Sequence, residues 1–436
     1  MLETQQILHD RYKLKQKLGE SAGRQTWLAQ DLSSQQKVVV KLLTFNDQLQ
    51  WENLRLFERE AQVLKQLNHP RIPKYYNYFC IDEQLLWFGL VQEYIPGQSL
   101  KELLTQGRVF TEAEVKKIAA DVLKILIYLH GLSPPVLHRD IKPSNLLLTE
   151  DSQIYLVDFG AVQDRAAREG ATFTVVGTYG YAPLEQFGGR ATPASDLYAL
   201  GATLLHLLTG ISPGELPQKD SHLQFAHLVR LHPGFVRYLS QMTEPNLEKR
   251  FSHARQALQV LKDNQTAINA LASPQPPKSK IHLKKSPSRL QIKIPILWRK
   301  VLAPSTSWTG LVILGFCLWI LSKHWVWHTG IWLIVGLVLA VWSFVPILLE
   351  TSVYFDYKQF EIQVKLLGIL LKRQRGNILE IDKVFPSDSG GYGKNKVPEV
   401  NLAVGIQEFS FGRLKPPLSQ EECHWLVEEI KSWLGL

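Results

Sequence analysis

Along residues 12–95 the hydrophobic positions recur mainly with a period of two. "YKLKQKL" alternates, "TWLAQ" resumes after a loop, and "KVVVKLL" is a β-branched run, which predicts three strands. "ENLRLFEREAQVLKQL" then places Leu54, Phe57, Ala61, Leu64 and Leu67 three or four residues apart, predicting a one-faced helix that stops at "NHP". From about 99 to 262 the pattern predicts mostly helix, interrupted by a loop-rich stretch between 133 and 195.

Beyond residue 262 the pattern changes. Residues 271–295 combine five prolines with serines and lysines, a linker composition, and the linker is predicted over 263–302. Ala303–Leu321 and Ile331–Leu349 follow, each 19 residues without a charge, separated by the short "SKHWVWHTG". A helix rising 1.5 Å per residue makes each run roughly 28 Å long, just enough for a bilayer core. Two transmembrane helices are therefore predicted at 303–321 and 331–349; a buried or re-entrant helical hairpin is the alternative. In residues 351–436, "FEIQVKL" sets Phe360, Ile362, Val364 and Leu366 on one face, and "NILEIDKVF" and "NLAVGIQEFSFG" read as further strands. The terminal "LSQEECHWLVEEIKSWL" opens with a capping box, Ser419 and Glu422, and is amphipathic through Cys423, Leu426, Ile430 and Trp433. Strands closed by a helix resemble a pleckstrin-homology-like sandwich.

Charge sharpens the membrane reading. Residues 271–300 hold +8 of the formal +9, so the pI near 9.2 reports one basic strip and does not imply a nucleic-acid-binding surface. That strip precedes the first run, and Lys358, Lys365, Lys372, Arg373 and Arg375 follow the second. The positive-inside rule then puts both large segments in the cytoplasm and the short loop outside, an inner-membrane, multi-pass arrangement. The strip sets topology and can also contact anionic lipid. Seven of the twelve tryptophans fall between Trp298 and Trp342. The three cysteines have no metal-ligand spacing, and the N-terminus shows no signal peptide pattern.

The chemistry lies in four separated stretches: "VVVK" ending at Lys41, "FEREA" with Glu60, "HRDIKPSN" with Asp140 five residues before Asn145, and "DFG" opening at Asp158. In this order and spacing they resemble the eukaryotic-like serine/threonine protein kinases of bacterial type, and the resemblance covers residues 12 to about 262. It implies the bilobal α+β protein kinase fold, ATP and Mg²⁺ as cofactors, and serine or threonine of protein substrates as phosphate acceptors. Phosphoryl transfer needs charge neutralisation and in-line positioning more than covalent help. The resemblance gives Lys41 to the α/β-phosphates and Glu60 to holding Lys41. Asn145 and Asp158 become oxygen ligands for Mg²⁺, Asp140 the base for the substrate hydroxyl, and Lys142 a cation near the transferring phosphate.

Further positions follow from the same likeness. "LVQEYIPG" resembles the hinge, with Gln92 as gatekeeper, Glu93 to Ile95 offering backbone groups to adenine, and Leu147 as an apolar floor. Pro183-Leu184-Glu185 stands for the family's closing "APE", with Arg250 as the partner of Glu185. Asp196 and Gly201 resemble the aspartate that braces the catalytic loop and its following glycine. Arg139 is the arginine that pairs with a phosphorylated loop residue, for which Thr172 and Thr174 are candidates or merely polar loop residues. Thr178 fits contact with the catalytic aspartate.

The phosphate loop departs from the family pattern. Leu18 and Gly19 align, but Ser21 stands for the second glycine and Arg24 for the third, with Gly23 one position early. Thr26 replaces the valine over adenine, and Val39 the usual alanine. These changes alter ATP affinity or loop closure without removing a catalytic group. A pseudokinase scaffold with weak nucleotide binding is the alternative they leave open. Oligomeric state and the substrate protein are not legible.

Overall fold

The computed structural model describes the chain except residues 1, 22, 46–50, 83–85, 162, 165–176, 270–273, 278, 287, 296–348, 390–396 and 414–416. The described chain divides into two compact units, Met1–Arg230 with Tyr238–Lys262, and Leu231–Arg237 with Asp263–Leu436.

The first unit begins with a six-stranded antiparallel sheet in the order β1-β2-β3-β4-β6-β5: β1 (Ile7–Leu8), β2 (Tyr12–Ser21), β3 (Arg24–Asp31), β4 (Lys37–Phe45), β5 (Tyr75–Asp82) and β6 (Leu86–Glu93). The alternation seen in the sequence becomes a two-faced β4. Val38, Val40 and Leu42 enter a core with Leu14, Trp27 and Val91, while Val39 and Lys41 point to the opposite face. Helix α1 (Trp51–Gln66) buries Leu54, Phe57, Ala61 and Leu64, as its spacing predicts.

A helical portion follows: α2 (Leu100–Thr105), α3 (Glu112–His130), α4 (Leu184–Phe187), α5 (Pro193–Thr209), α6 (Pro233–Met242, its first residues counted with the second unit) and α7 (Ala254–Asn269, counted with the second unit from Asp263). Thr111 and Glu114 form a capping box at the start of α3, and Gly210, at φ 70°, ends α5. Between α2 and α4 run short strands: β7 (Gln98–Ser99), β8 (Val136–Leu137), β9 (Leu146–Leu148), β10 (Ile154–Leu156) and β11 (Gln163–Asp164). They pair as β10-β9-β7 and β11-β8, and a small ribbon joins β12 (Gln218–Lys219) to β13 (His222–Leu223).

The second unit holds two antiparallel sheets and a helix. One is β14 (His282–Lys285), β15 (Leu290–Ile294), β16 (Leu349–Phe355), β17 (Gln359–Leu366) and β18 (Ile369–Asn377) in sequential order. The other is β19 (Ile381–Ser389), β20 (Val397–Val404) and β21 (Gln407–Phe411). Helix α8 (Gln420–Leu434) carries the expected Ser419–Glu422 capping box, and Cys423, Leu426, Ile430 and Trp433 are buried with Ile292, Val353, Phe360 and Leu402.

Two expectations change here. Residues 263–302 are not a linker throughout: α7 continues to Asn269, and His282–Lys285 pairs with Leu290–Ile294 within the sheet. Lys285, counted in the basic strip, is buried against Glu429 at 3.2 Å, and Trp433 Nε1 donates to the Ser286 carbonyl at 2.8 Å. The physical reason is the alternation of Leu283, Leu290, Ile292 and Ile294 with polar neighbours, which buries one face of a strand despite the prolines around it. The domain predicted over 351–436 therefore draws β14 and β15 from before the apolar runs, and Leu349 belongs to β16 rather than to a span. Apart from Leu349, both predicted spans lie outside the described residues. Among the described residues no helix is long and apolar enough to cross a membrane.

Candidate active site

A cleft of about 790 Å³ opens in the first unit between the six-stranded sheet and the helical portion. Its walls include Leu18, Gly19, Arg24, Thr26, Val39, Lys41, Gln92, Glu93, Ile95, Asn145, Leu147 and Asp158. The strand register explains much of this gathering. Val39 pairs with Gln92 and Val38 with Glu93, so β4 delivers Val39 and Lys41 beside the segment that leaves β6 for the helices. Leu147 reaches the opposite wall from β9.

At the inner end of the cleft three charges meet. Lys41 Nζ lies 2.5 Å from Glu60 Oε1 and 2.7 Å from Asp158 Oδ1, and Glu60 is 1% exposed. Burial, the largest influence on Lys41, disfavours its ammonium, but Asp158 and Glu60 together outweigh it and raise the lysine above its usual range. The Lys41 cation in turn holds Asp158 well below the ordinary carboxylate range. Burial pushes Glu60 up, opposed chiefly by Lys41 and in part by Arg24.

The loop after β8 supplies a second group. Asp140 Oδ1 accepts from Thr178 Oγ1 at 2.8 Å, and Asp140 Oδ2 faces Lys142 Nζ at 2.8 Å. Lys142 also donates to Thr178 at 2.8 Å. Asn145 Nδ2 donates to the Asp140 carbonyl at 2.8 Å and to its carboxylate at 3.0 Å. The loop is braced by Asp196, 0% exposed, which accepts from the His138 amide at 3.0 Å and the Arg139 amide at 2.8 Å and faces His130 Nε2 at 2.9 Å. That network sustains Arg139 at φ 67°, a strained backbone for a bulky residue; Asp158 has φ 66°. Arg139 is 6% exposed, and its Nε has no partner among the described residues. Farther out, Arg250 Nη1 lies 2.7 Å from Glu185 Oε1.

The unusual glycine loop proves to be a tight β-hairpin. Ser21 pairs with Arg24, Gly23 takes φ 71°, and its carbonyl accepts from the Thr44 amide at 2.9 Å. Gly23 thus provides the left-handed residue the turn requires. Gly23→Val is expected to strain the loop by on the order of 1–2 kcal/mol. Its apparent ATP affinity should fall about 5- to 30-fold, read as KM for ATP in steady-state kinetics. Arg24, which the likeness places in the phosphate loop, lines the cleft. A Cβ at Gly160 would lie 3.2 Å from Glu60 Oε2 and 3.5 Å from Arg24 Nη1, so this guanidinium reaches the inner end of the cleft. Thr172 and Thr174 lie outside the described residues; Ser21 and Gly23 are in the hairpin, and Asp140 and Lys142 are in the loop after β8, none of the four among the cleft-lining residues.

The donor set suits a magnesium ion. Asp158 and Asn145 offer a carboxylate and an amide oxygen at the cleft, and among the described residues no cluster of three or more His, Cys, Asp or Glu could hold a metal alone. A partial shell fits a hard cation that retains water and binds phosphate oxygens.

His138, 0% exposed, stacks edge-on against Phe159 at 4.9 Å. Burial pushes its imidazole below the usual value, against the pull of Asp196, Asp140 and Asp158. A depressed histidine contributes stability that is present above its unfolded pKa, about 6.5, and is lost as pH falls below it. The melting temperature is therefore expected to decline between pH 7.5 and 5.5, and His138→Gln to flatten that slope, measured by calorimetry.

A family model described as the protein kinase domain matches residues 12–264. Among curated proteins the chain is similar to serine/threonine-protein kinase B of Synechocystis sp., 39% identical over 219 residues, which is 47% of this chain and 37% of that protein. It is similar to serine/threonine-protein kinase PknA of Nostoc sp., 34% identical over 274 residues, 59% of this chain and 48% of that protein. It also matches serine/threonine-protein kinase PrkC of Bacillus subtilis, 34% identical over 208 residues, 47% of this chain and 31% of that protein. The chain thus spans less than half the length of each of these relatives.

Proposed function

Because the chain belongs to the protein kinase family, we propose that it is an active serine/threonine protein kinase using ATP and Mg²⁺. The observation that carries this is the joined pair of Lys41–Glu60 and Lys41–Asp158 contacts, with Asp140 and Asn145 in place. Adenine would lie between Val39 and Leu147 beside Glu93 and Ile95, and Lys41 would hold the α/β-phosphates. Asp158 and Asn145 would hold Mg²⁺, which would supply neutralisation of phosphate charge. Asp140 accepts the proton of the substrate hydroxyl as its oxygen bonds to the γ-phosphorus and the bond to the ADP oxygen breaks. Lys142, shared between Asp140 and Thr178, offsets charge on the transferring group. The buried Nε of Arg139, without a partner among the described residues, suits a phosphate carried by Thr172 or Thr174.

Full-length protein in membranes with Mg-ATP and a generic protein substrate should incorporate phosphate on serine or threonine. Nucleotide binding without transfer by the unaltered chain would favour the pseudokinase scaffold instead.

The same reading anchors the chain in the inner membrane through 303–321 and 331–348, with kinase and C-terminal units in the cytoplasm. The uncharged length of both runs and their basic flanks support it. So does the register: Ile294 pairs with Thr351, so the chain leaves and rejoins one sheet on adjacent strands, which suits an even number of crossings. The C-terminal unit, two sheets closed by a helix, is read as a pleckstrin-homology-like module.

A further inference from the structure

The sheet β14–β18 carries at one end apolar side chains that its core does not use. Leu367 is 62% exposed, Ile369 69%, Leu370 45% and Leu371 56%. They form the β17–β18 turn and the start of β18, the edge strand. Edges ordinarily carry charge, because an exposed apolar edge invites other surfaces to cover it. The turn sharpens the anomaly. Leu367 has φ 50° and Gly368 φ 88°, a pair of left-handed residues in which asparagine or glycine is favoured. A leucine at the first position costs the fold stability and leaves its side chain in solvent.

The register shows what lies beside this tip. Leu349, where the chain re-enters the sheet, pairs with Leu366, and Leu366 pairs with Ile369. Ile294, where the chain leaves the sheet, pairs with Thr351. Exit, return and apolar tip therefore share one end of one sheet. The 54 residues between exit and return contain both uncharged runs. Lys293, Lys365 and Lys372 stand at the same end, with Glu350 as the acid among them.

We propose that the β17–β18 tip is a second membrane contact. Leu367, Ile369, Leu370 and Leu371 enter the headgroup–acyl boundary of an anionic leaflet, and Lys365 and Lys372 face its phosphates. The inference rests on the anchor reading above and adds to it: two spans fix the domain at the bilayer, and the tip fixes which way the sheet faces.

The test uses the full chain, with Cys80→Ser and Cys317→Ala, reconstituted into phosphatidylcholine vesicles with and without phosphatidylserine. An environment-sensitive fluorophore is attached through Ile369→Cys, or through Ile406→Cys, a fully exposed control position in the β20–β21 turn. Flotation after an alkaline carbonate wash reads the anchor separately. The expected result is flotation, with a blue-shifted probe at 369 that shallow brominated lipids quench at least twofold, more strongly with phosphatidylserine, and an unquenched probe at 406. Adding Leu367→Asn should lower the quenching at 369 without lowering the melting temperature, an outcome that a purely structural role for Leu367 does not give. Flotation with equal, unquenched signals at 369 and 406 overturns the tip proposal while the anchor stands. Loss of the chain from vesicles after the wash overturns the anchor, and the tip proposal with it. A blue shift that lipid does not quench and that vanishes at one chain per vesicle assigns the tip to a second copy and overturns the proposal.

Discussion

Asp140→Ala in the full-length chain is expected to reduce phosphate transfer by about 10²–10⁴-fold, the range for loss of a positioned base. ATP affinity should stay within about twofold, because in the proposed function Asp140 meets the substrate hydroxyl and not the nucleotide. The substitution also removes the acceptor shared by Thr178, Lys142 and Asn145, so part of the loss comes from a displaced Lys142. Asp140→Asn separates the two contributions. It keeps an oxygen for Thr178 but cannot take the substrate proton, so its turnover should stay near that of the alanine variant. Single-turnover kinetics with labelled ATP, beside a nucleotide-binding titration, makes the comparison. Loss of binding and transfer together would show that Asp140 supports the fold of the cleft rather than the chemistry.

Asp196→Ala carries the largest expected loss of stability. Its carboxylate is fully buried and serves two backbone amides and His130. Alanine offers none of these acceptors, and buried donors left unpaired cost about 3–5 kcal/mol together. For a unit of this size that lowers the melting temperature by roughly 10 °C. Activity should fall further than stability alone explains, because Arg139 loses the contact that sustains its left-handed backbone immediately before Asp140. Differential scanning calorimetry and transfer rates measured below the variant's own melting temperature separate the two effects.

Much of the site was legible because phosphoryl transfer restricts residue identity. Lys41, Glu60, Asp140, Asn145 and Asp158 stand far apart in the chain, yet their chemistry admits few substitutes, and the structure brings Lys41 into contact with both Glu60 and Asp158. The predicted pairs Arg250–Glu185 and Thr178–Asp140 meet for the same reason. Arg24 was placed in the phosphate loop by likeness, but its reach toward Glu60 depends on a hairpin register that the loop sequence does not display. In the C-terminal unit, Phe360 and Ile362 on one face and the Ser419 cap were plain in the periodicity. The hairpin β14–β15 was not. Each of its strands is short, and the prolines and lysines around Leu290 and Ile292 give the stretch the composition of a tether. Its partner β16 lies beyond the apolar runs, so no local window of sequence contains the pairing.

That long-range pairing has a consequence for the order of events during synthesis. β14 and β15 emerge from the ribosome first but gain their place only against β16, with 54 residues between Ile294 and its start at Leu349. A pairing so distant in sequence makes the β15–β16 junction a late step of folding. Leu290 and Ile292 stay uncovered until it forms, and Trp433, the last large side chain of the core, arrives later still. The C-terminal unit is therefore assembled around whatever course the intervening chain has already taken.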